Sequence, residues 1–339
     1  MANLQARYMG IDLKNPLIVG ASSMTKNMDT IKKVAEKGAG ALVIASLFEE
    51  QIAHQSYNLE EKAKLLDNQD AEMTDVFPDI EHSGPEEHLV WTRKAKESVD
   101  IPVIASLNAR TQDTWVEWAK KLADTGVDGL ELNFFATPSD VSSSGADEEK
   151  LQVEVVKAVS SAVKIPVSVK MSALYTNPVE MVGKLEKAGA KGVVLFNRFF
   201  HPSVDIQVEK TSFPWDLSKP EDRGLPLRFV SLCAGQTKAS ICASNGIHNG
   251  DQAIEMLLAG ADVFQVVSTV YLNGFKRIKD ILSRVEKWLE MKDYSSLDDV
   301  IGKVSLENSD NKWRFKRQQY VRMLLHSNDY VSLPNIKGD

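Results

Sequence analysis

The residues best suited to chemistry in this 339-residue chain are polar ones that close short apolar runs. The segment Ala243–Ala261, ASNGIHNGDQAIEMLLAGA, follows the run Ala239–Ala243, turns at Asn245-Gly246 and opens an amphipathic helix. The next run, Asp262–Val267, ends in Ser268-Thr269. A Gly at such a turn lets backbone N–H groups approach an anion with no Cβ in the way. Asn245, Gly246, Ile247, Ser268 and Thr269 therefore form a candidate phosphate site. An ordinary β-turn–helix unit also carries Asn-Gly, and that reading stays open. Other runs end in Ala21-Ser22-Ser23, Ser46, Ser106 and Asn108, Glu131 and Asn133, Lys170 and Ser172, and Asn197. Amides and hydroxyls with one Lys suit a polar heterocyclic cofactor that bears a phosphate. No carboxylate cluster or His pair has metal-ligand spacing, so no metal is expected. No Ser-His-Asp order is visible.

Something must hold these residues together at one place. The candidate strands are Leu17–Gly20, Ala41–Ala45, Val103–Leu107, Gly129–Asn133, Val167–Met171, Gly192–Asn197, Ala239–Ala243 and Asp262–Val267. Helical patterns lie between most of them, at Asp29–Lys37, Glu86–Ser98, Thr114–Thr125, Glu148–Val163, Val179–Ala188 and Asp251–Ala259. This alternation predicts an α/β fold, a (β/α)8 TIM barrel, in one domain over 1–339. Gly-rich junctions recur before strands, as in KGAGA at Lys37, TGVDG at Thr125 and AGAD at Ala259, where Gly serves as a helix C-cap. An open doubly wound sheet would carry GxGxxG after its first strand, and none is present. Long insertions follow strand 2 (Ser46–Pro85) and strand 6 (Arg198–Arg223), both over the catalytic face of a barrel. The tail is a helical extension, including Ile278–Met291 and Lys312–Leu325.

Composition narrows the class. With 43% hydrophobic and 26% charged residues the chain is an ordinary soluble protein. A net charge of -7 with scattered Lys and Arg argues against a nucleic-acid groove. Two cysteines, Cys233 and Cys242, make neither a CxxC nor a disulfide framework, which suits a reducing cytoplasm. Neither a signal core nor a membrane-length apolar stretch is apparent, so no membrane partner is expected.

In order and spacing, several blocks resemble the class 1 dihydroorotate dehydrogenase family of FMN barrels. They are GIDLKNP (Gly10–Pro16) with Ala21-Ser22-Ser23, GAGA (Gly38–Ala41), DGLELN (Asp128–Asn133), VSVKM (Val167–Met171), Asn197, SNGI (Ser244–Ile247) and MLLAGA (Met256–Ala261). They span about Tyr8 to Phe275. The resemblance implies an FMN-binding barrel. Ala21, Ser22 and Ser106 would lie along the cofactor, and Asn133 would bond near flavin or substrate. Lys170 would sit beside the flavin ring, where its charge favours the reduced form. Asn197 would face the substrate, and Gly246, Ile247, Ser268 and Thr269 would hold the phosphate.

The departures fall on the substrate side. Family members carry a Cys or Ser base after ELN, followed by Pro and Asn; here the segment is FFATPS, with Thr137 at the base position and Ser139 for the Asn. A Thr hydroxyl is a poor base without an activating neighbour. The family Lys after strand 2 is replaced by Ile44-Ala45-Ser46, and its Asn-bearing substrate loop is not recognisable in Phe48–Asp70. Arg198, His201 and Asn197 are then candidates for a different substrate pocket, or Arg198 and His201 belong to an ordinary loop. The expected protein is an FMN-dependent oxidoreductase exchanging two electrons with an undetermined small substrate. Thr137, Lys170 and Asn197 are its candidate catalytic residues. Alternatives are a true dihydroorotate dehydrogenase of pyrimidine biosynthesis, or the flavin subunit of a larger electron-transfer complex. A tRNA dihydrouridine synthase fits the acidic balance poorly, and a barrel lyase using only the phosphate site is weaker still. The expected partners are a small-molecule substrate, a second copy in a homodimer, and an electron-transfer partner carrying any iron–sulfur relay.

Overall fold

The structure, a computed structural model, describes residues 2–53, 84–135, 141–315 and 317–329. An antiparallel hairpin, β1 (Ala6–Tyr8) and β2 (Ile11–Leu13), opens the chain. The barrel strands follow in chain order: β3 (Leu17–Val19), β4 (Ala41–Val43), a short β5 (Leu47–Phe48), β6 (Val103–Asn108), β7 (Gly129–Asn133), β8 (Val167–Met171) and β9 (Gly192–Leu195). A second hairpin, β10 (Ser203–Asp205) and β11 (Lys210–Ser212), precedes β12 (Ser240–Ala243) and β13 (Val263–Val266). All pairings within the large sheet are parallel, and β4 pairs with both β3 and β6, which closes it into an eight-strand barrel with β5 as an appendage on β6. Strands buried on both faces read as continuous apolar runs, which is why the sequence places all eight to within two residues at each end.

Helices α1 (Met28–Glu36), α2 (Pro85–Glu97), α3 (Gln112–Ala123), α4 (Gly145–Ala162), α5 (Pro178–Ala188), α6 (Gly224–Cys233) and α7 (Gly250–Ala259) surround the sheet. Side chains of Asn27, Thr111, Ser144, Asn177 and Asn249 cap helix N-termini, each worth about 1 kcal/mol. The chain continues through α8 (Ser268–Asn273), α9 (Lys276–Met291) and α10 (Gln318–Leu325). The helix expected over Lys312–Leu325 divides into a 3-10 turn, Lys312–Phe315, and α10. Of the expected insertion after strand 2, residues 54–83 lie outside the described residues; the one after strand 6 carries the exposed β10–β11 hairpin.

The first hairpin plugs the lower end of the barrel. Tyr8 is fully buried, and the Met9 N–H donates to Ser240 Oγ at 3.1 Å. A Cβ on Gly192 would lie 2.8 Å from Met9 Cγ and 2.9 Å from Tyr8 Cε2, so close approach of the plug fixes Gly as the first residue of β9. The Gly junctions thus serve two ends: Gly189 and Gly260 cap α5 and α7 in the left-handed region, while Gly192 makes room for the plug.

A side chain before β7 and one before β13 play matching parts. Asp128 accepts the Val103 N–H and Asp262 accepts the Ile241 N–H, each at 2.7 Å, tying a strand to its predecessor. Asp128 also pairs with Lys96 at 2.7 Å. Asp262 faces Asp298, and burial chiefly, with that like charge in addition, pushes its carboxyl up to about 6. A carboxyl raised above its unfolded value destabilises the fold above about pH 6, and that penalty is relieved as pH falls toward about 4. Difference measurements between wild type and Asp262→Asn should therefore show wild type gaining about 2–3 kcal/mol between pH 7 and pH 4, read by denaturant unfolding. A pH-independent difference would mean that Asp262 titrates normally.

Candidate active site

The C-terminal ends of the barrel strands surround a cleft of about 480 Å³. In β7 and β8 the register sets Asn133 beside Lys170, and the two-residue repeat puts Glu131 and Asn133 on one face. Lys170 is 8% exposed. Its ammonium donates to Gln265 Oε1 at 3.1 Å and lies 3.8 Å from Glu131 Oε1. Gln265 Nε2 in turn donates to Glu131 Oε2 at 2.5 Å. Glu131 is fully buried and its Oε1 has no hydrogen-bond partner, so the Coulomb attraction of Lys170 is what offsets its desolvation. Lys170 is thus an inward-facing cation and not an exposed strand-end lysine.

Amides and hydroxyls line one wall. Asn197 Nδ2 donates to Asn133 Oδ1 at 2.5 Å, and Asn133 Nδ2 reaches Ser46 Oγ at 3.4 Å. Ser46 pairs with Ser106 at 2.7 Å. Ser106 is fully buried and stands behind the wall, holding Ser46. Ala21 and Ser22, after β3, border the cleft as well.

At the far end lies the turn. Asn245 and Gly246 both take left-handed conformations, with φ 74° and 71°. Asn245 Nδ2 donates to the Phe196 and Asn197 carbonyls at 2.8 and 3.3 Å, which fixes the turn to the end of β9. The Gly246 N–H points at Ser218 Oγ, 3.4 Å away, and Ser218 bonds Ser268 Oγ through its N–H and hydroxyl at 3.0 and 2.9 Å. Gly246, Ile247, Ser218 and Ser268 all border the cleft. Thr269 is buried beneath them, its hydroxyl donating to the His248 carbonyl at 3.0 Å. Burial pushes the His248 imidazole below its usual value despite the opposing Ser218 backbone, so it is neutral at pH 7.

Over the mouth runs the segment after β9. Arg198 pairs with Asp216 and Asp222, each at 2.6 Å. Burial would raise Asp222, but the Lys219 N–H and Arg198 guanidinium outweigh it and hold the carboxyl below its ordinary value. Phe200 and Trp215 face each other across the rim, ring centres 5.5 Å apart. His201 is exposed, packs edge-on to Phe199 at 5.6 Å, and does not border the cleft. The proposed base, Thr137, lies outside the described residues. Cys233 sits on α6 with its thiol pushed up to about 12 by burial, and the thiol of Cys242, in β12, is likewise raised, chiefly by burial. Both are protonated and inert at neutral pH. Among the described residues no cluster of three or more His, Cys, Asp or Glu could hold a metal ion.

Sequence reasoning passed over Gln265, Ser218 and Trp215. Gln265 did leave a signal, since it is the one polar residue inside the apolar run Val263–Val267. Ser218 and Trp215 left none, because their place depends on how the long segment folds back.

Comparison with known proteins agrees with this architecture. The dihydroorotate dehydrogenase family profile matches residues 3–289. The catalytic subunit of dihydroorotate dehydrogenase B (NAD(+)) from Pyrococcus abyssi is 28% identical over 304 residues, covering 88% of this chain and 98% of that protein. Its counterpart from Methanocaldococcus jannaschii is 25% identical over 307 residues, covering 88% and 97%. That from Thermoplasma acidophilum is 27% identical over 309 residues, covering 89% and 99%. With a closed parallel barrel, a polar cleft at its strand ends and a profile match over most of its length, this chain belongs to the dihydroorotate dehydrogenase family of flavin-dependent oxidoreductases acting on CH–CH groups.

Proposed function

We propose that this chain is an FMN-dependent oxidoreductase that exchanges two electrons with a small organic substrate. The observation that carries the reading is one cleft bordered by both a buried cation, Lys170, and the left-handed Asn245-Gly246 turn. Its size falls in the range of cofactor sites. The donor set fits FMN. Gly246, Ile247 and Ser268 would hold the phosphate where barrels commonly hold one. Ala21, Ser22, Asn133 and Lys170 would border the ring. FMN bound there supplies hydride exchange. The protein's part is to orient and to tune. Asn133 and Asn197 brace each other and present amides to the cleft. Lys170 contributes positive charge that Glu131 partly offsets. Ser106 and Thr269 act from behind the wall, supporting Ser46 and the His248 backbone. Thr137 is assigned the substrate proton. Arg198, with both carboxylates, belongs to the substrate side of the mouth, whereas His201, which stands outside the cleft, is left to the loop.

The names of the relatives support a second reading, that of a catalytic subunit working with an electron-transfer partner. Any iron–sulfur relay would then sit on that partner, since both thiols here are buried. No helix among the described residues is long and apolar enough to cross a membrane, in keeping with a cytoplasmic enzyme. A homodimer is the proposed assembly.

Three outcomes are expected. Purified protein is yellow and releases FMN, not FAD, on denaturation; a colourless protein that takes up no added FMN defeats the reading. A Cβ on Gly246 would fall 2.3 Å from the Arg223 backbone N, in a left-handed conformation. Gly246→Ala should therefore cost roughly 1–3 kcal/mol of stability and weaken FMN retention, while Gly145→Ala, in open space, changes neither. Unaltered FMN content and melting temperature in Gly246→Ala would place the phosphate elsewhere. Lys170→Ala should lower the flavin potential by about 1–2 kcal/mol, roughly 20–45 mV for two electrons. Glu131→Gln, which unmasks the ammonium, should raise it. Potentiometric titration at matched FMN loading checks both, and unmoved potentials would remove Lys170 from the ring.

A further inference from the structure

We propose that the outer half of the cleft selects a neutral, planar, ring-bearing substrate, an aromatic or conjugated carbonyl compound, over a carboxylate; this rests on the FMN reading above. Charge balance is the first argument. Among the described residues, the cations that border the cleft are Lys26, Lys170 and Arg198. Arg198 already holds two carboxylates at 2.6 Å, so a substrate carboxylate there would displace one and meet the other. Lys170 is engaged by Glu131 and Gln265. Lys26 is exposed on the rim, where water and salt screen its charge.

Shape and surface are the second argument. At the end of β4 the side chains facing the cleft are Ala45 and Ser46, small and uncharged, and the Ser46 hydroxyl is paired with Ser106. Phe48, Phe200 and Trp215 also border the cleft, the last two in ring contact with each other. Trp215 is 73% exposed and Phe200 41%, so two large aromatic surfaces of the cleft stand open to solvent. A flat apolar ring would stack on them and remove that surface from water. Asp216, next to Trp215 in the chain, is the residue clamped by Arg198. Arg198 therefore acts as a positioning residue for the aromatic wall. The amides of Asn133 and Asn197 supply neutral hydrogen bonds of the kind a carbonyl oxygen needs without attracting a charge.

The test uses the FMN-loaded protein and three probes: 4-methoxybenzaldehyde, 4-methoxybenzoate and orotate. The first two share a ring and differ in charge. Binding is read from the perturbation of the flavin spectrum. The aldehyde should bind at least about tenfold tighter than either carboxylate, a difference of about 1.4 kcal/mol. Trp215→Ala should weaken the aldehyde about fivefold, the scale of one lost aromatic contact, with FMN content unchanged. Phe213→Ala, exposed and away from the cleft, should change neither. A carboxylate that binds as tightly as the aldehyde, an aldehyde that does not bind, or a Trp215→Ala variant that binds normally would each overturn the proposal. A protein that takes up no FMN defeats the functional reading instead. The same titrations, followed by tryptophan fluorescence on that flavin-free protein, still decide for or against the neutral substrate.

Discussion

A lysine ammonium almost removed from water has to be offset, and how that is done at Lys170 organises the upper half of the barrel. The offset comes from Glu131 on the neighbouring strand, and Gln265 on the last strand bridges the two. Each of these three positions sits within a run of residues buried on both sides. The network requires strands from both halves of the chain to be in register, so sheet closure and charge balance depend on one another. A wholly apolar interior would be simpler to stabilise, since buried ion pairs contribute little net free energy. What the network supplies is a positive charge fixed in position at the floor of a cleft.

Around that floor the loops divide the work. The turn after β12 and the start of α8 bring hydroxyls and N–H groups together through Ser218. The segment after β9 crosses the mouth and is anchored on Arg198. One side of the cleft is thus built of short, backbone-rich turns, and the other of a long segment carrying aromatics.

Legibility followed the same division. The barrel strands were readable because burial on both faces leaves uninterrupted apolar runs, and the junction glycines marked where they begin. The β1–β2 and β10–β11 hairpins were not read as strands, because three-residue strands, one pair wholly exposed, carry no apolar periodicity. Lys170, Asn133, Asn197 and Gly246 were legible from their places at strand ends, and they meet in one cleft. The purpose of Arg198 was not, because its partners lie 18 and 24 residues downstream on a segment without a regular pattern. Nor could sequence show that Ser106 and Thr269 stand behind the wall, since only the side-chain direction at a strand or helix end decides that.

The plug formed by Tyr8 and Met9 also bears on how the chain matures. The surfaces that Tyr8 and Met9 cover belong to Gly129, Gly192 and Ser240, all of which follow them far along the chain. Until residue 240 has been synthesised, the partner for the Met9 N–H does not exist. The hairpin therefore cannot complete its contacts until most of the barrel strands have been made. Docking of the hairpin thus belongs to the late steps of folding, alongside closure of the barrel by β13, which pairs with both β3 and β12.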